Sequence, residues 1–124
     1  MLLDTCALIW WTLDPAQLSL KTRKLLDAAD HVYVSAISIA ELGIKIKKKQ
    51  LELPLSLRDY VQRLYRSNIS ILPVTDSIIL DSLDLKWVHS DPVDRIIVAT
   101  AKHEKWAIVT KDDEIKKYYK RTIG

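Results

Sequence analysis

The chain has 124 residues, of which 48% are hydrophobic, so it is long enough and apolar enough to bury one core as one domain. Its net charge of +3, from 19 basic and 16 acidic residues, is mild and suits either an ordinary soluble surface or a basic body around an acidic pocket that takes a polyanion. Its single cysteine excludes an intrachain disulfide and predicts a reducing, cytoplasmic location, while the lack of roughly 18 consecutive apolar residues argues against a membrane span.

Short apolar runs alternate with helical segments along the chain. In chain order we expect a strand at 1–3, a helix through Trp11, a helix at 18–30, a strand at 31–35, helices at 38–50 and 56–67, a strand at 70–74, helices at 75–83 and 91–106, a strand at 107–110, a helix at 111–119 and a strand at 120–123. Ser19 and Thr75 are predicted to cap the helices that follow them. The apolar opening is not expected to be a signal peptide, because Asp4 interrupts it and no basic flank precedes it. Strands that alternate with helices predict a parallel sheet covered on both faces.

Acidic residues follow the predicted strands at several points of the chain. Asp4 follows the first strand directly, Glu41 is expected in the first turn of the helix after the second strand, and Asp112 closely follows the fourth strand. Asp94 is predicted to lie in the first turn of the helix that leads into that fourth strand. Because the carboxyl ends of parallel strands share one edge of the sheet, these four acids can converge there.

Each of these acids also has a simpler interpretation, which is helix capping. Ser38 and Glu41 match the spacing of a capping box. Asp91 followed by Pro92 is a favourable pair for a helix start, and the third helical position favours negative charge. The remaining acids can likewise be explained as helix-start residues: Asp94, Asp4 and Asp112. Asp76 also follows a strand, and we expect it to act only as a cap.

Several carboxylates at one point favour a bound cation. Like charges within a few ångströms repel and raise one another's pKa, and a divalent cation removes that penalty. Hard oxygen ligands favour Mg²⁺ or Mn²⁺, whereas no spacing of cysteine and histidine here suits zinc. Cys6 is expected to be a small buried helix residue, and the histidines are expected at the surface or at strand ends rather than as ligands: His31, His89 and His103.

Five segments, in this order, carry a family resemblance: "LLDTCALIWW", "VYVSAISIAELGIKIKKKQLELP", "ILPVT", "HSDPVDRIIVATA" and "AIVTKDDEI". Together they resemble the PIN-domain nucleases, and among these the VapC-type toxins of prokaryotic toxin–antitoxin pairs. The resemblance covers essentially the whole chain, 1–124, as one domain. It implies a three-layer α/β/α fold with a mostly parallel central sheet, and Mg²⁺- or Mn²⁺-dependent cleavage of RNA that leaves a 5′-phosphate.

The resemblance also implies roles for individual residues. The catalytic acids it implies are Asp4, Glu41, Asp94 and Asp112. We expect the first and third of these, Asp4 and Asp94, to hold the principal cation, and the other two to complete the pocket directly or through waters. Hydroxyl support is expected from Thr5 and Thr110, and Asp91 is expected near the metal but outside the core set.

Basic residues near the acids are expected to contact RNA phosphates. The candidates are Lys45, Lys47, Lys48, Lys49 and Lys111. The alternative interpretation is a solvated helix end, where lysines favour the helix dipole. The resemblance further implies a homodimer bound by a small antitoxin that covers the acidic groove.

Two other functions remain open from the sequence. A phospho-accepting receiver domain has similar length and a doubly wound sheet, but it needs paired acids after the first strand and an aspartate at the end of the third. Here Asp4 stands alone and the third strand ends in "PVT". A non-catalytic module that binds RNA or a protein partner on the same fold is the second alternative.

Overall fold

A computed structural model describes all 124 residues, Met1 to Gly124. In chain order the elements are β1 (Leu2–Leu3), α1 (Thr5–Leu13), a 3₁₀ turn (Pro15–Gln17), α2 (Leu20–Ala28), β2 (Val32–Ser35), α3 (Ala36–Lys47), α4 (Leu57–Tyr65), β3 (Ile69–Leu72), α5 (Asp76–Asp84), α6 (Pro92–Glu104), β4 (Ile108–Val109), α7 (Asp113–Tyr118) and β5 (Thr122–Ile123). The longest helix, α6, has 13 residues, and none of the helices has both the length and the apolar character required to span a bilayer.

The five strands form one parallel sheet in the order β3-β2-β1-β4-β5. The central strand, β1, pairs with β2 on one side and with β4 on the other, so that Leu3 lies between Val34 and Val109. This confirms the predicted parallel sheet. A receiver-type doubly wound sheet has the order 2-1-3-4-5, in which the first strand lies beside the third. The observed order places β4 there, so the receiver alternative does not fit the topology.

Helices cover both faces of this sheet because alternate strand residues point to opposite sides. On one face Leu3 and Val109 join a core of 12 buried residues with α1, α2, α3 and α4. On the other face Leu2 and Ile108 join a core of six with α6 and α7. The chain therefore has the expected three α/β/α layers, and both faces of the two-residue central strand are fully enclosed.

Most helices begin where the sequence predicts. The Ser19 hydroxyl accepts a hydrogen bond from the Thr22 N–H at 3.2 Å, and the Thr75 hydroxyl accepts one from the Ile78 N–H at 3.2 Å. Each satisfies an amide of the first helical turn that has no partner within the helix. Asp76, expected to cap, is instead the first residue of α5 and is exposed, because Thr75 already supplies the cap.

The start of α3 differs from the prediction. The helix begins at Ala36, because the hydroxyl of Ser35 accepts from the Ile37 N–H at 3.2 Å and caps it. Ser38 is therefore inside the helix and fully buried, and its predicted capping box with Glu41 is wrong. Glu41 lies in the second turn of α3 rather than in the first. The earlier start leaves both side chains free for contacts outside their own helix.

Candidate functional site

The carboxyl edge of the sheet opens into a cleft of about 220 Å³. All four acids singled out from the sequence line this cleft, although they come from four separate segments of the chain. The complete lining is Asp4, Thr5, Cys6, Trp10, Glu41, Asp94, Lys111 and Asp112. The topological rule for parallel sheets accounts for this convergence, since each acid follows a strand or lies in the first or second turn of a helix at the same edge.

Asp4 is buried, with 6% of its surface exposed, and both of its carboxylate oxygens are engaged. Oδ1 accepts from the Ala7 N–H at 2.8 Å and caps α1, while Oδ2 accepts from the Thr110 hydroxyl at 2.5 Å. A carboxylate offers about four acceptor positions. Capping and cation binding are therefore compatible for this residue, and the two interpretations that the sequence left open do not exclude each other.

Thr110 connects the ends of two neighbouring strands. Its hydroxyl donates to Asp4 and accepts from the backbone N–H of Asp112 at 3.0 Å. Asp112 in turn caps α7 by accepting from the Ile115 N–H at 3.1 Å, and it is exposed to the cleft. This single buried hydroxyl therefore fixes the first and last of the four acids relative to each other.

Thr5 performs a similar function between helices. Its hydroxyl donates to the Ser38 hydroxyl at 2.9 Å, and both residues are buried. Residues three apart lie on the same face of a helix, so this contact directs the face of α3 that carries Glu41 toward α1. Sequence reasoning missed Ser38 as support for the site. The available signal was a small hydroxyl residue one turn before an acid.

Asp94 and Asp91 have different positions at the start of α6. Asp91 caps the helix by accepting from the Asp94 N–H at 3.1 Å, and it does not line the cleft. Asp94 does line it, and its Oδ2 lies 2.8 Å from Nε2 of His89. His89 was expected at the surface or at a strand end, and its side chain is still 24% exposed, but the contact with Asp94 was not expected. Its imidazole is partly buried against one of the predicted metal ligands.

Two of the carboxylates in the cleft, Asp4 and Asp94, have a raised pKa and so hold their protons more tightly than usual. Burial raises the pKa of Asp4, and the nearby charges of Asp112 and Glu41 raise it further, against the lowering effect of the hydrogen bonds from Thr110 and Ala7. Burial also raises the pKa of Asp94 to about 6, although the hydrogen bond with His89 opposes the shift. Buried, mutually repelling carboxylates are the arrangement that a divalent cation relieves.

The donor set fits a hydrated hard cation. No three of the chain's histidine, cysteine, aspartate and glutamate side chains are arranged to enclose a metal ion by themselves. The cleft offers carboxylate and hydroxyl oxygens, and Mg²⁺ typically binds through one or two carboxylates while retaining several waters. A site built mainly on Asp4 and Asp94 matches that mode of binding.

Non-acidic residues of the cleft also depart from expectation. Cys6 is exposed rather than buried, because the buried face of α1 is occupied by Thr5, Ala7 and Leu8. Lys111 has its ammonium 5.3 Å from the centre of the Trp10 ring and donates to the carbonyl of Gln17. A cation is therefore held at the rim of the acidic cleft.

The lysines proposed from the sequence divide into two groups. Lys111 lines the cleft. Lys45 lies one turn beyond Glu41 on α3 and near Cys6: burial raises the pKa of the Cys6 thiol, and the charge of Lys45 opposes that rise. Lys47, Lys48 and Lys49 lie at the end of α3, with Lys48 roughly 10 Å along the helix from Glu41 at 1.5 Å per residue. These three are exposed and do not line the cleft.

We expect the metal-free protein to become more stable as the pH falls from about 7.5 to about 5.5. Folding raises the pKa of Asp94 to about 6, and the hydrogen bond to Asp94 raises the pKa of His89. The folded protein therefore binds more protons in this range than the unfolded chain, and the free energy of unfolding falls as the pH rises. Urea unfolding across this range measures the slope. An equally steep slope in Asp94→Asn, which cannot ionise at this position, would contradict the assignment.

Comparison with known proteins agrees with this architecture. A model of the PIN domain family matches residues 1–121. Ribonuclease VapC22 of Mycobacterium tuberculosis is 29% identical over 119 residues, which are 95% of this chain and 91% of that protein. A toxin-antitoxin complex from Klebsiella pneumoniae has a chain of similar fold, with a TM-score of 0.66, 19% identity, and coverage of 99% of this chain and 95% of that one. FitAcB from Neisseria gonorrhoeae is similar in the same way, with a TM-score of 0.67, 23% identity, and coverage of 99% and 96%.

Proposed function

Because the chain belongs to the PIN domain family, we propose that it is an endoribonuclease, dependent on Mg²⁺ or Mn²⁺, that acts as the toxin of a toxin–antitoxin pair. The similarity to Ribonuclease VapC22 supports the reaction, and the fold shared with a chain of a toxin-antitoxin complex supports the biological setting. The observation that carries the proposal is the convergence of Asp4, Glu41, Asp94 and Asp112 on one cleft.

In the proposed mechanism two of the four acids bind the cation and the other two act on the attacking water. Asp4 and Asp94 would hold the cation, with Thr110 and Thr5 fixing the elements that present the acids. The bound ion would supply a water of lowered pKa and compensate the charge that develops on the scissile phosphate. Glu41 and Asp112 orient the attacking water and take up its proton. The bond from phosphorus to the 3′ oxygen then breaks, and that oxygen takes a proton from solvent, which leaves a 5′-phosphate and a 3′-hydroxyl.

The RNA backbone is proposed to enter along the basic side of the cleft. Lys111 and Lys45 lie nearest the acids and are proposed to contact the phosphates that flank the cleavage point. The exposed lysines at the end of α3 extend this surface away from the cleft: Lys47, Lys48 and Lys49. Phosphate contacts of this kind give an affinity that falls with rising salt.

The proposed partners follow from the same setting. We propose a cognate antitoxin that covers the acidic cleft, a homodimeric state, and a location in the cytoplasm, where RNA is available. Exposed apolar side chains support an interface on α5 and the segment after it, since Leu80, Leu83 and Val88 are 59%, 68% and 99% exposed. Several exposed apolar side chains on one segment are typical of a surface that contacts another protein.

The proposal is tested by incubating the purified chain with mixed RNA in millimolar Mg²⁺ or Mn²⁺, and in parallel with EDTA. We expect cleavage with either ion and none with EDTA. The products should be degraded by an exonuclease that requires a 5′-phosphate. RNA that is bound tightly yet stays intact in the presence of both ions would favour the non-catalytic binding module instead.

A further inference from the structure

Arg95, next to Asp94 on α6, directs its guanidinium back to the end of α5 and the segment that follows. All five of its N–H groups donate to backbone carbonyls. Nε donates to Ser82 at 3.0 Å, Nη1 to Trp87 at 2.6 Å and to His89 at 3.0 Å, and Nη2 to Leu83 at 3.3 Å and to Leu85 at 2.9 Å. No carboxylate lies within ion-pair distance of this half-buried cation. Its hydrogen bonds are therefore devoted to one stretch of backbone.

The need for this contact follows from how α5 ends. A helix leaves its last carbonyls without partners, and a glycine after the helix commonly closes the end. Here Leu85 follows in an extended conformation, with φ −60° and ψ 128°, and the chain's only glycines are Gly43 and Gly124. Arg95 takes the carbonyls of Ser82 and Leu83 in the last turn, where a cation also suits the negative end of the helix dipole.

The segment that Arg95 holds carries His89 to the cleft. Nε2 of His89 lies 2.8 Å from Oδ2 of Asp94, and its ring lies 4.8 Å from the ring of Trp87. Trp87 is in turn stacked on Tyr118 of α7, at 4.8 Å and with an interplanar angle of 6°. Arg95 thus fixes the backbone of His89, and the imidazole packs at an angle of 36° against Trp87, which is itself held by Tyr118. Both contacts direct the His89 ring toward Asp94.

We infer that Arg95 and His89 are positioning residues for the Asp94 carboxylate: Arg95 fixes the segment from Leu85 to His89, and His89 fixes the oxygen that it contacts. The inference rests on the proposed function, because Asp94 matters in this way only as a cation ligand. Oδ2 is engaged by the imidazole, whereas Oδ1 has no partner in the protein and is left for the cation. Outer partners that orient a metal-binding carboxylate typically affect metal affinity by about 10- to 100-fold.

Lysine cannot replace Arg95 in this arrangement. An ammonium has three donors on one atom, whereas the planar guanidinium has five donors directed along separate lines. The carbonyls that Arg95 contacts are spread from the last turn of α5 to His89, beyond the reach of a single nitrogen. We therefore expect Arg95→Lys to release His89 from Asp94 even though the positive charge is retained.

Binding of Mn²⁺ to the protein without RNA, followed by the electron paramagnetic resonance signal of free Mn²⁺, tests the inference. We expect His89→Phe to weaken Mn²⁺ binding by about tenfold or more. His89→Gln, whose amide N–H can occupy the place of Nε2, should retain most of the affinity. His103→Phe is the matched control, since His103 is an exposed histidine in the last turn of α6, and it should bind Mn²⁺ as the wild type does.

The outcomes separate the inference from the proposed function. If the wild type binds Mn²⁺ and His89→Phe binds it equally well, the inference is wrong and the proposed function stands. If the wild type binds no Mn²⁺, the proposed metal site fails and the inference fails with it. Arg95→Lys should match His89→Phe, with exposed Arg58→Lys as its control. Where Arg95→Lys does not fold, the paired histidine variants carry the test.

Discussion

Replacing Asp94 with asparagine is expected to reduce RNA cleavage about a thousandfold while the protein stays folded. Loss of a metal-binding carboxylate removes several kcal/mol of transition-state stabilisation, and each 1.36 kcal/mol corresponds to about tenfold in rate. Asp4→Asn should have a similar effect, because the amide oxygen can still accept from the Ala7 N–H and keep α1 capped. Initial rates on a labelled RNA, together with Mn²⁺ titration of each variant, measure the effect.

Asp76→Asn is the matched control for these two variants. Asp76 also follows a strand of the sheet and lies in a first helical turn, but it is exposed and does not line the cleft. Its loss should leave the rate within about twofold of the wild type, as for a surface change away from specific contacts. Unreduced cleavage by both Asp4→Asn and Asp94→Asn would remove the acids from the mechanism.

Replacing Thr110 with valine is expected to lower both activity and stability. Valine has the shape of threonine without the hydroxyl, so Asp4 loses one buried hydrogen bond and the Asp112 N–H loses its acceptor. An unsatisfied buried group costs about 1–3 kcal/mol of folding free energy. Because both acids lose their common support, we expect cleavage to fall by about 10- to 100-fold. Thr110→Ser, which keeps the hydroxyl, should retain most of both properties.

Thr100→Val separates the two effects. Thr100 is also buried, but its hydroxyl donates only to the Ile96 carbonyl of its own helix, at 2.7 Å, and it does not line the cleft. This variant should change the free energy of unfolding modestly and leave cleavage unaffected. If Thr110→Val cleaves RNA as fast as Thr100→Val does, then the hydroxyl at position 110 supports the fold and not the site.

The parts of the fold that local chemistry determines were predictable from the sequence. Ser19 and Thr75 each directly precede the helical pattern that they were predicted to cap, and each is the N-cap of its helix. The start of α3 was not predictable in this way, because Ser35 and Ser38 are both plausible caps. In the structure Ser35 caps the helix, and Ser38 instead accepts a hydrogen bond from the Thr5 hydroxyl, more than thirty residues away along the chain. A local pattern holds no information about such a partner.

The candidate site shows the same division between local and distant causes. The convergence of the four acids follows from strand alternation, which the sequence displays. The contact of His89 with Asp94 does not follow from strand alternation. The direction of the imidazole depends on the hydrogen bonds that Arg95 donates to five carbonyls of the preceding segment. Every residue has a backbone carbonyl, so the sequence does not indicate which carbonyls an arginine will contact. A histidine five residues before an acid therefore gave no reason to expect a contact.

The bond between Asp4 and Thr110 spans 106 positions of the chain and has a consequence during synthesis. The strand β1 pairs with β4, which leaves the ribosome only after more than 100 further residues have been made. A growing chain can assemble helices and part of the sheet before then, since folding proceeds from the amino terminus. It cannot bring Asp4 together with Asp112. The proposed nuclease is therefore unable to attack RNA near its own ribosome until β4 and Asp112 have been synthesised.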